Sequence, residues 1–289
     1  MPTLANRLSS IFDIVSRTGL LDPRRAPSLT AATARWGPTA AAPYAASALA
    51  SPNRTAVIDE SGGLSYADLD RQSTQLAKGL HHLGARRGER LGIACRNHHD
   101  FTELTVAAAK AGLGVVYLNT SFAAPQMREV VEREDLAVLA VDLDLLHLIE
   151  HGSFDAPVIV AGLDEPTRSA LADGFRTMSE VRRNGDDGGP LRASLPVPPV
   201  LLTSGTTGTP KGAQRSNRVD PTAATAIIDR IPYRHDDVIA ITSPLFHAWG
   251  LAQMLLASAL GATTTLMASF DAEATLAQIE RERVTVLAV

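Results

Sequence analysis

The residues best suited to chemistry lie in one stretch, Thr203–Gly212, whose sequence is TSGTTGTPKG. An apolar run, Val200–Leu202, precedes this stretch and predicts a buried strand. Glycines let successive backbone N–H groups turn toward one point, hydroxyl groups add neutral donors, and a lysine adds a mobile positive charge. A loop of this composition is typical of a site that binds a polyphosphate.

The spacing of these residues excludes one well-defined alternative. In the Walker loop, G-x-x-x-x-G-K-[ST], a glycine precedes the lysine and a hydroxyl residue follows it. Here Pro210 precedes Lys211 and Gly212 follows it, so we do not expect a GTPase-like ATPase. A surface loop without a ligand is the other interpretation of the composition taken alone.

The stretch TSGTTGTPKG resembles the phosphate-loop signature of the adenylate-forming enzymes, which include acyl-CoA synthetases, fatty acyl-AMP ligases, luciferases and peptide-synthetase adenylation domains. Downstream, Pro244–Gly250 (PLFHAWG) is similar to the acyl-pocket motif P-x-F-H-x-x-G of that family. Upstream, Leu64–Asp70 resembles its T-Y-x-E-L segment, and Arg96-Asn97 resembles its C-x-N turn. The likeness covers residues 52–289 and is greatest to bacterial fatty acyl-CoA synthetases.

The resemblance implies a reaction and a set of residues. ATP and a fatty acid form an acyl-adenylate and pyrophosphate, and the thiol of CoA then displaces AMP. Mg²⁺ is expected on the phosphate oxygens, because this ion prefers phosphate and water to a cage of protein ligands. The ATP and phosphate contacts are expected at Thr203, Ser204, Gly205, Thr206, Thr207, Gly208 and Lys211, and the substrate pocket at Phe246, His247, Trp249 and Gly250.

No catalytic residue and no metal ligand is expected in this portion of the family pattern. The adenylation lysine and the family's later segments have no match before Val289. We therefore expect roughly the N-terminal half of such an enzyme, inactive alone, with a C-terminal half or a partner chain completing it. The adjacent Asp186 and Asp187 are interpreted as a solvated turn.

Several alternatives stay open. A fatty acyl-AMP ligase that passes the acyl group to a carrier protein shares these motifs, and a non-catalytic nucleotide-binding module or a subunit of a split enzyme would keep the phosphate loop. Taken without the motif, His247 is a structural histidine and Trp249 is part of the core. A general base at His247 is not implied, because a carboxylic acid is already ionised at neutral pH.

Composition narrows the class of protein. The chain has 289 residues with a formal charge of -4 and 4% aromatic residues, which argues against nucleic acid as a partner. The single cysteine, Cys95, lies in an apolar run and is expected to be free, buried and unreactive, as in a cytoplasmic protein.

Residues 1–20 carry apolar positions at helical spacing, which predicts a helix packed on the protein or, alternatively, a weak peripheral membrane contact.

The pattern of apolar runs predicts an α/β fold with parallel sheets flanked by helices, as in two α/β units of the N-terminal domain of the adenylate-forming enzymes, incomplete at the C-terminus. The predicted local features are a loose connector over 23–43, a hairpin turn at 60–63, a capping box from Ser65 to Asp68, and a helix over 221–229. The predicted domains are a helical arm and connector at 1–51, a first α/β unit at 52–183, a flexible loop at 184–197, and the phosphate loop with a partial second α/β unit at 198–289.

Overall fold

The computed structural model describes residues 25–149, 156–162, 173–186, 189–191, 196–203, 211–214 and 230–289, with residues 16, 18, 19, 171 and 228. Most of the predicted helix over 1–20, the predicted helix over 221–229 and the tip of the phosphate loop lie outside these residues. No helix among them is both long and apolar enough to cross a membrane.

In the part of the chain from residue 25 onward, helices α1 (Ala26–Trp36) and α2 (Ala41–Ala50) precede the sheets. The prediction of a loose connector over 23–43 is therefore wrong for α1. Helix α1 packs against α2 and buries Ala32 and Trp36, so tertiary contacts stabilise a segment that lacks a sustained apolar period. The proline in its first turn is compatible with a helix start.

The first sheet has seven strands in the order β7-β6-β5-β3-β4-β8-β9. All neighbours are parallel except β8 and β9, which are antiparallel. Its strands are β3 (Arg90–Ala94), β4 (Gly114–Tyr117), β5 (Leu136–Asp142), β6 (Val158–Ala161), β7 (Phe175–Thr177), β8 (Val200–Thr203) and β9 (Lys211–Gln214).

The second sheet has five strands in the order β12-β10-β11-β1-β2, with only β2 antiparallel to its neighbour. Its strands are β1 (Thr55–Asp59), β2 (Gly62–Ser65), β10 (Val238–Ile241), β11 (Thr263–Leu266) and β12 (Val286–Ala288). The predicted α/β class with parallel sheets flanked by helices is confirmed. The turn predicted at 60–63 is wrong in its second half, because Gly62 and Gly63 belong to β2.

Among the residues that the structure describes, six helices and one 3-10 helix of known bounds connect the strands. They are α3 (Tyr66–His82), α4 (His99–Ala111), α5 (Ala124–Glu134), the 3-10 helix Leu143–Leu148, α6 (Met178–Asn184), α7 (Ala248–Leu260) and α8 (Ala272–Glu282). At the start of α3, the Asp68 N–H donates to Ser65 Oγ over 3.1 Å. The Ser65 hydroxyl then donates to the Asp68 carboxylate over 2.6 Å, so only one half of the predicted capping box forms.

Sheet membership crosses the predicted domain boundaries. Strands β1 and β2 pair with the last three strands of the chain, whereas β8 and β9 pair with the sheet formed by the middle of the chain. The predicted domain boundaries at 183 and 198 therefore do not coincide with the division of the strands into two sheets, and they stay a prediction. Helix α4 lies between the two sheets, since it contacts β1 of one and both β3 and β4 of the other, and nearly all of its residues are buried.

Candidate functional site

The segment Ser243–His247 joins β10 to α7; it is here called the acid-site turn, after the role that the resemblance predicts for it. The His247 N–H donates to the Pro244 carbonyl over 3.0 Å, and the His247 carbonyl accepts from Leu251 N–H over 3.0 Å. A Cβ placed on Gly250 would lie 2.4 Å from the Pro244 carbonyl oxygen. Glycine at 250 therefore lets the first turn of α7 approach the backbone of the acid-site turn directly.

The side chain of Asn97 fixes the backbone of the acid-site turn from the opposite sheet. Its Oδ1 accepts from Leu245 N–H over 2.8 Å, and its Nδ2 donates to the carbonyls of Ser243 (2.9 Å) and Ile241 (3.4 Å). Asn97 is buried and follows β3. The carboxyl ends of β3 and β10 therefore meet here, which is where open α/β sheets bind ligands.

The four predicted substrate-pocket residues divide into two groups. Phe246 and Gly250 are buried, and Phe246 belongs to the same apolar core as Leu201 of β8. His247 is exposed and Trp249 is 39% exposed. The rings of Phe246 and His247 lie 4.5 Å apart between centroids. The core-packing interpretation thus describes Phe246 better than Trp249, and the imidazole and indole rings are the ones that a ligand can contact.

The predicted phosphate loop lies at the tip of the hairpin formed by β8 and β9. Thr203 and Lys211 are partners in the antiparallel ladder, and Leu201 is the partner of Tyr117 in the parallel neighbour β4. The other predicted phosphate residues, Ser204, Gly205, Thr206, Thr207 and Gly208, lie outside the described residues. The connection from β8 to β9 therefore starts at the carboxyl end of β8. The start of β9 at Lys211 was not predicted from the sequence.

The segment Cys95–Asp100, here called the charged turn, runs from the end of β3 through the first two residues of α4 and contains two histidines with different partners. His99 Nδ1 lies 2.7 Å from Asp59 Oδ2, and its Nε2 lies 3.3 Å from Asp100 Oδ1. The Ser61 hydroxyl donates to Asp59 Oδ1 over 2.5 Å. Although burial lowers the pKa of His99, its hydrogen bonds with Asp100 and Asp59 raise that pKa to about 10.

The charges around His99 argue against nucleophilic catalysis by Ser61. Burial raises the pKa of Asp59, but hydrogen bonds from His99 and Ser61 outweigh burial and hold that pKa far below its usual value. Because His99 is therefore a cation at neutral pH with a carboxylate at each nitrogen, it cannot take a proton from Ser61. The Ser61, His99 and Asp59 group is not a nucleophilic triad.

A buried ion-pair network continues from the charged turn to α6. The Arg182 guanidinium donates to Glu103 Oε1 over 2.9 Å and lies 3.4 Å from Asp100 Oδ1. Burial raises the pKa of Glu103 to about 7, against the attraction of Arg182. Burial also raises the pKa of Asp100, but its hydrogen bond with His99 outweighs this and leaves the pKa lowered.

The second histidine of the charged turn, His98, is fully buried. Its Nε2 lies 2.8 Å from Asp142 Oδ1, and Asp142 Oδ2 accepts from Arg96 N–H over 2.8 Å. Cys95 is free and buried, as predicted. Burial, together with the neighbouring Asp142, raises the pKa of the Cys95 thiol.

Asn97 belongs to the segment that resembles a C-x-N turn, but no role was predicted from the sequence for Asn97 or for the residues of these networks. The signal available in the sequence was the run of polar residues from Arg96 to Asp100 directly after an apolar strand. Their partners Asp59, Asp142 and Arg182 lie 40 or more residues away along the chain, so spacing alone could not identify them.

The sequence profile of the family described as AMP-binding enzyme matches residues 44–289 of this chain. The chain belongs to the AMP-binding enzyme family. The match includes the β8–β9 hairpin, the charged turn and the acid-site turn.

Known relatives of this AMP-binding chain act on different acids by name. It is 31% identical to a feruloyl-CoA synthase of Amycolatopsis over 82% of this chain and 45% of that protein. It is 28% identical to the long-chain-fatty-acid–CoA ligase FadD13 of Mycobacterium tuberculosis over 83% of this chain and 47% of that protein. The chain thus spans about half the length of the curated relatives it matches.

A solved structure shows the same fold. The o-succinylbenzoate CoA synthetase of Bacillus subtilis, in complex with ATP and magnesium ion, superposes with a TM-score of 0.68 at 21% identity, over 85% of this chain and 62% of that chain. The fold of this AMP-binding chain is therefore that of the N-terminal domain of adenylate-forming enzymes.

Proposed function

We propose that this chain forms the ATP-binding and acid-binding part of an AMP-forming acid–thiol ligase. In this reaction a carboxylate attacks the α-phosphorus of ATP, the bond to the β-phosphate oxygen breaks, and acyl-AMP and pyrophosphate form. CoA thiol then attacks the acyl carbon and releases AMP. The observation that carries this proposal is the family match over residues 44–289, which includes TSGTTGTPKG at the carboxyl end of β8.

In the proposed reaction this part of the chain positions the reactants. Backbone N–H groups of the phosphate loop, with Thr206, Thr207 and Lys211, bind the β- and γ-phosphates and stabilise the departing pyrophosphate. Mg²⁺ enters with ATP and neutralises phosphate charge. The carboxylate needs no base because it is already ionised, so orientation against the α-phosphate is the main task.

The acid is proposed to contact His247 and Trp249 of the acid-site turn and α7. These rings are exposed, whereas the backbone that carries them is fixed by Asn97 and by the close approach at Gly250. A fixed backbone with exposed rings holds a ligand at low entropic cost. Within the range of acids that the relatives' names span, we propose a fatty acid, on the resemblance to fatty acyl-CoA synthetases and the likeness to FadD13.

Calorimetric titration of the chain with Mg²⁺ and ATP tests the phosphate site. We expect binding that Lys211→Ala weakens at least about tenfold, which corresponds to about 1.4 kcal/mol. Lys78→Ala is the matched control because Lys78 lies on α3 of the same chain, and it should leave the affinity unchanged. Equal affinity in both variants would remove Lys211 from the site.

Pyrophosphate exchange with ATP and a panel of fatty and aromatic acids tests the reaction. The chain alone is expected to bind ATP without exchange, and a version extended with the second half of the relatives is expected to exchange and then form acyl-CoA. Transfer to a carrier protein without CoA turnover would support the acyl-AMP ligase alternative. Binding of ATP without exchange by the extended version would support a non-catalytic module.

A further inference from the structure

A second cluster of chemically reactive side chains lies at the carboxyl ends of β3 and β5. These neighbouring parallel strands pair Ala94 with Val141, so that Cys95 and Asp142 occupy the next position along the two strands. His98 is the residue before the first residue of α4. All three side chains are buried, with residue exposures of 0%, 2% and 1% for Cys95, Asp142 and His98.

The three groups lie close enough to share one ion. The Cys95 sulfur, an imidazole nitrogen of His98 and a carboxylate oxygen of Asp142 lie within 4.8 Å of one another. Bonds of about 2.0 to 2.3 Å from Zn²⁺ to such ligands place tetrahedral ligand atoms about 3.3 to 3.8 Å apart. Side-chain movements of about 1 Å therefore bring the cluster to metal-binding distances.

The imidazole of His98 is incompletely satisfied in the structure. Its Nε2 contacts Asp142 Oδ1, but its Nδ1 is buried without a hydrogen-bond partner among the described residues. Buried polar atoms are rarely left unpaired, because each one costs about 1 to 3 kcal/mol. Because Nε2 is the nitrogen that faces Asp142, an ion shared with Asp142 would bind Nε2 in place of the present hydrogen bond, and Nδ1 would carry the ring proton.

We propose that Cys95, His98 and Asp142 form a buried site for a divalent cation of the Zn²⁺ type. A thiolate and an imidazole favour Zn²⁺ over Mg²⁺ or Ca²⁺, which prefer ligand sets made of oxygen. On binding, the metal would form bonds to the Cys95 sulfur, His98 Nε2 and a carboxylate oxygen of Asp142. The thiol proton and the proton between His98 Nε2 and Asp142 would pass to solvent, the ring would keep its proton at Nδ1, and the ion would lose bound water. A fourth position belongs to water or a backbone carbonyl.

The ion would act on the candidate site through the backbone of the charged turn. Cys95 and His98 are on either side of Asn97 in the chain, and Asn97 binds the acid-site turn. A bound cation would therefore fix the segment that positions the wall of the proposed acid site. This proposal departs from the expectation that no side chain of this portion binds a metal and that Cys95 is only a packing residue.

Cobalt spectroscopy on the whole chain tests the proposal. Cys95 is the only cysteine of the sequence, so a thiolate-to-cobalt charge-transfer band in the near ultraviolet reports on Cys95 alone. We expect this band to saturate at one Co²⁺ per chain, with visible d–d bands of tetrahedral coordination, and Zn²⁺ to abolish both. We also expect Zn²⁺ to raise the Tm of chain previously treated with chelator.

Substitutions separate the proposed site from metal binding elsewhere. His98→Gln and Asp142→Asn should weaken Co²⁺ binding at least tenfold, whereas His147→Gln should not, because His147 is exposed and its ring hydrogen-bonds the Asp144 carbonyl of its own turn. A folded native chain without the thiolate band overturns the proposal whatever the variants do. A band of equal affinity in His98→Gln, Asp142→Asn and native chain also overturns it, since it would show binding at the cysteine alone.

Discussion

The charged turn and the acid-site turn face each other at the carboxyl ends of two sheets, but different forces hold them. The charged turn contains two histidines and an aspartate that pair with buried carboxylates and with Arg182. The acid-site turn contains no acidic or strongly basic side chain, and its described contacts are neutral hydrogen bonds and the close approach at Gly250. Asn97 belongs to the first and binds the second.

The difference shows that the charged turn is the more rigid segment, whereas the segment with exposed rings can contact a ligand. Buried charges with several partners resist movement, because losing one partner leaves another charge unpaired in the interior. The acid-site turn and the first turn of α7 instead offer exposed rings, at His247 and Trp249 respectively, on a backbone that Asn97 binds from the opposite sheet. Substitutions in the charged turn should therefore change stability, and substitutions in the exposed rings should change ligand affinity.

The largest loss of stability is expected from Arg182→Met. Removing the guanidinium leaves Glu103 and Asp100 buried without this cation, and the expected loss is about 3 to 5 kcal/mol of unfolding free energy. Arg183→Met is the matched control, because Arg183 is the exposed neighbour on the same helix, and its cost should stay below about 0.5 kcal/mol. Urea unfolding measures both, and equal losses would contradict the assigned network.

The next effect is a loss of stability as pH rises from 7 to 9. The folded chain keeps the proton of His99 until about pH 10, whereas the unfolded chain loses it near 6.5. The stability from this raised pKa is therefore complete below 6.5 and declines above it, by on the order of 3 kcal/mol in total for a ring that is partly exposed.

The variant His99→Gln isolates this contribution. Urea unfolding of the variant should show a flatter dependence on pH between 7 and 9 than the native chain shows. His82→Gln, which changes an exposed histidine at the end of α3, should retain the native dependence. A native slope in His99→Gln would mean that His99 does not keep its proton in the folded state.

Asn97→Ala should cost about 2 kcal/mol, because it removes three hydrogen bonds and leaves backbone groups of the acid-site turn without this partner. It should also weaken acid binding, since the turn loses its contact with the opposite sheet. Asn119→Ala is the control, because the Asn119 side chain accepts one local hydrogen bond from Ser121 N–H. Urea unfolding and calorimetry with the acid measure the two effects, and a loss no greater than that of the control would contradict the role given to Asn97.

The smallest effect on stability is expected from Trp249→Ala. The indole is 39% exposed and therefore buries more than half of its surface, so the unfolding free energy should fall by about 1 to 1.5 kcal/mol. The affinity for the acid should nevertheless fall by about tenfold if the ring contacts it. Phe270→Ala, at another exposed ring outside the turn, should leave that affinity unchanged. A change in stability without a change in acid affinity would place Trp249 outside the pocket.

Local patterns in the sequence predicted much of the framework. The alternation of apolar runs and polar helices predicted parallel sheets, because strands buried on both faces leave a continuous apolar signature. The N-terminal cap of α3 at Ser65 was also predicted, since it depends on residues a few positions apart. Helix α1 was missed because packing against α2, rather than its own period, stabilises it.

The sequence by itself determined the class of fold, the family and the position of the phosphate-loop motif at the end of a strand, because these depend on residues that are neighbours in the chain. Only the tertiary structure decided that β1 joins the sheet of the last strands, that Asn97 binds the acid-site turn, and that Cys95 and His98 meet Asp142. These contacts join residues 40 to about 200 positions apart. The packing of the two sheets determines these partners, and local sequence patterns do not contain that information.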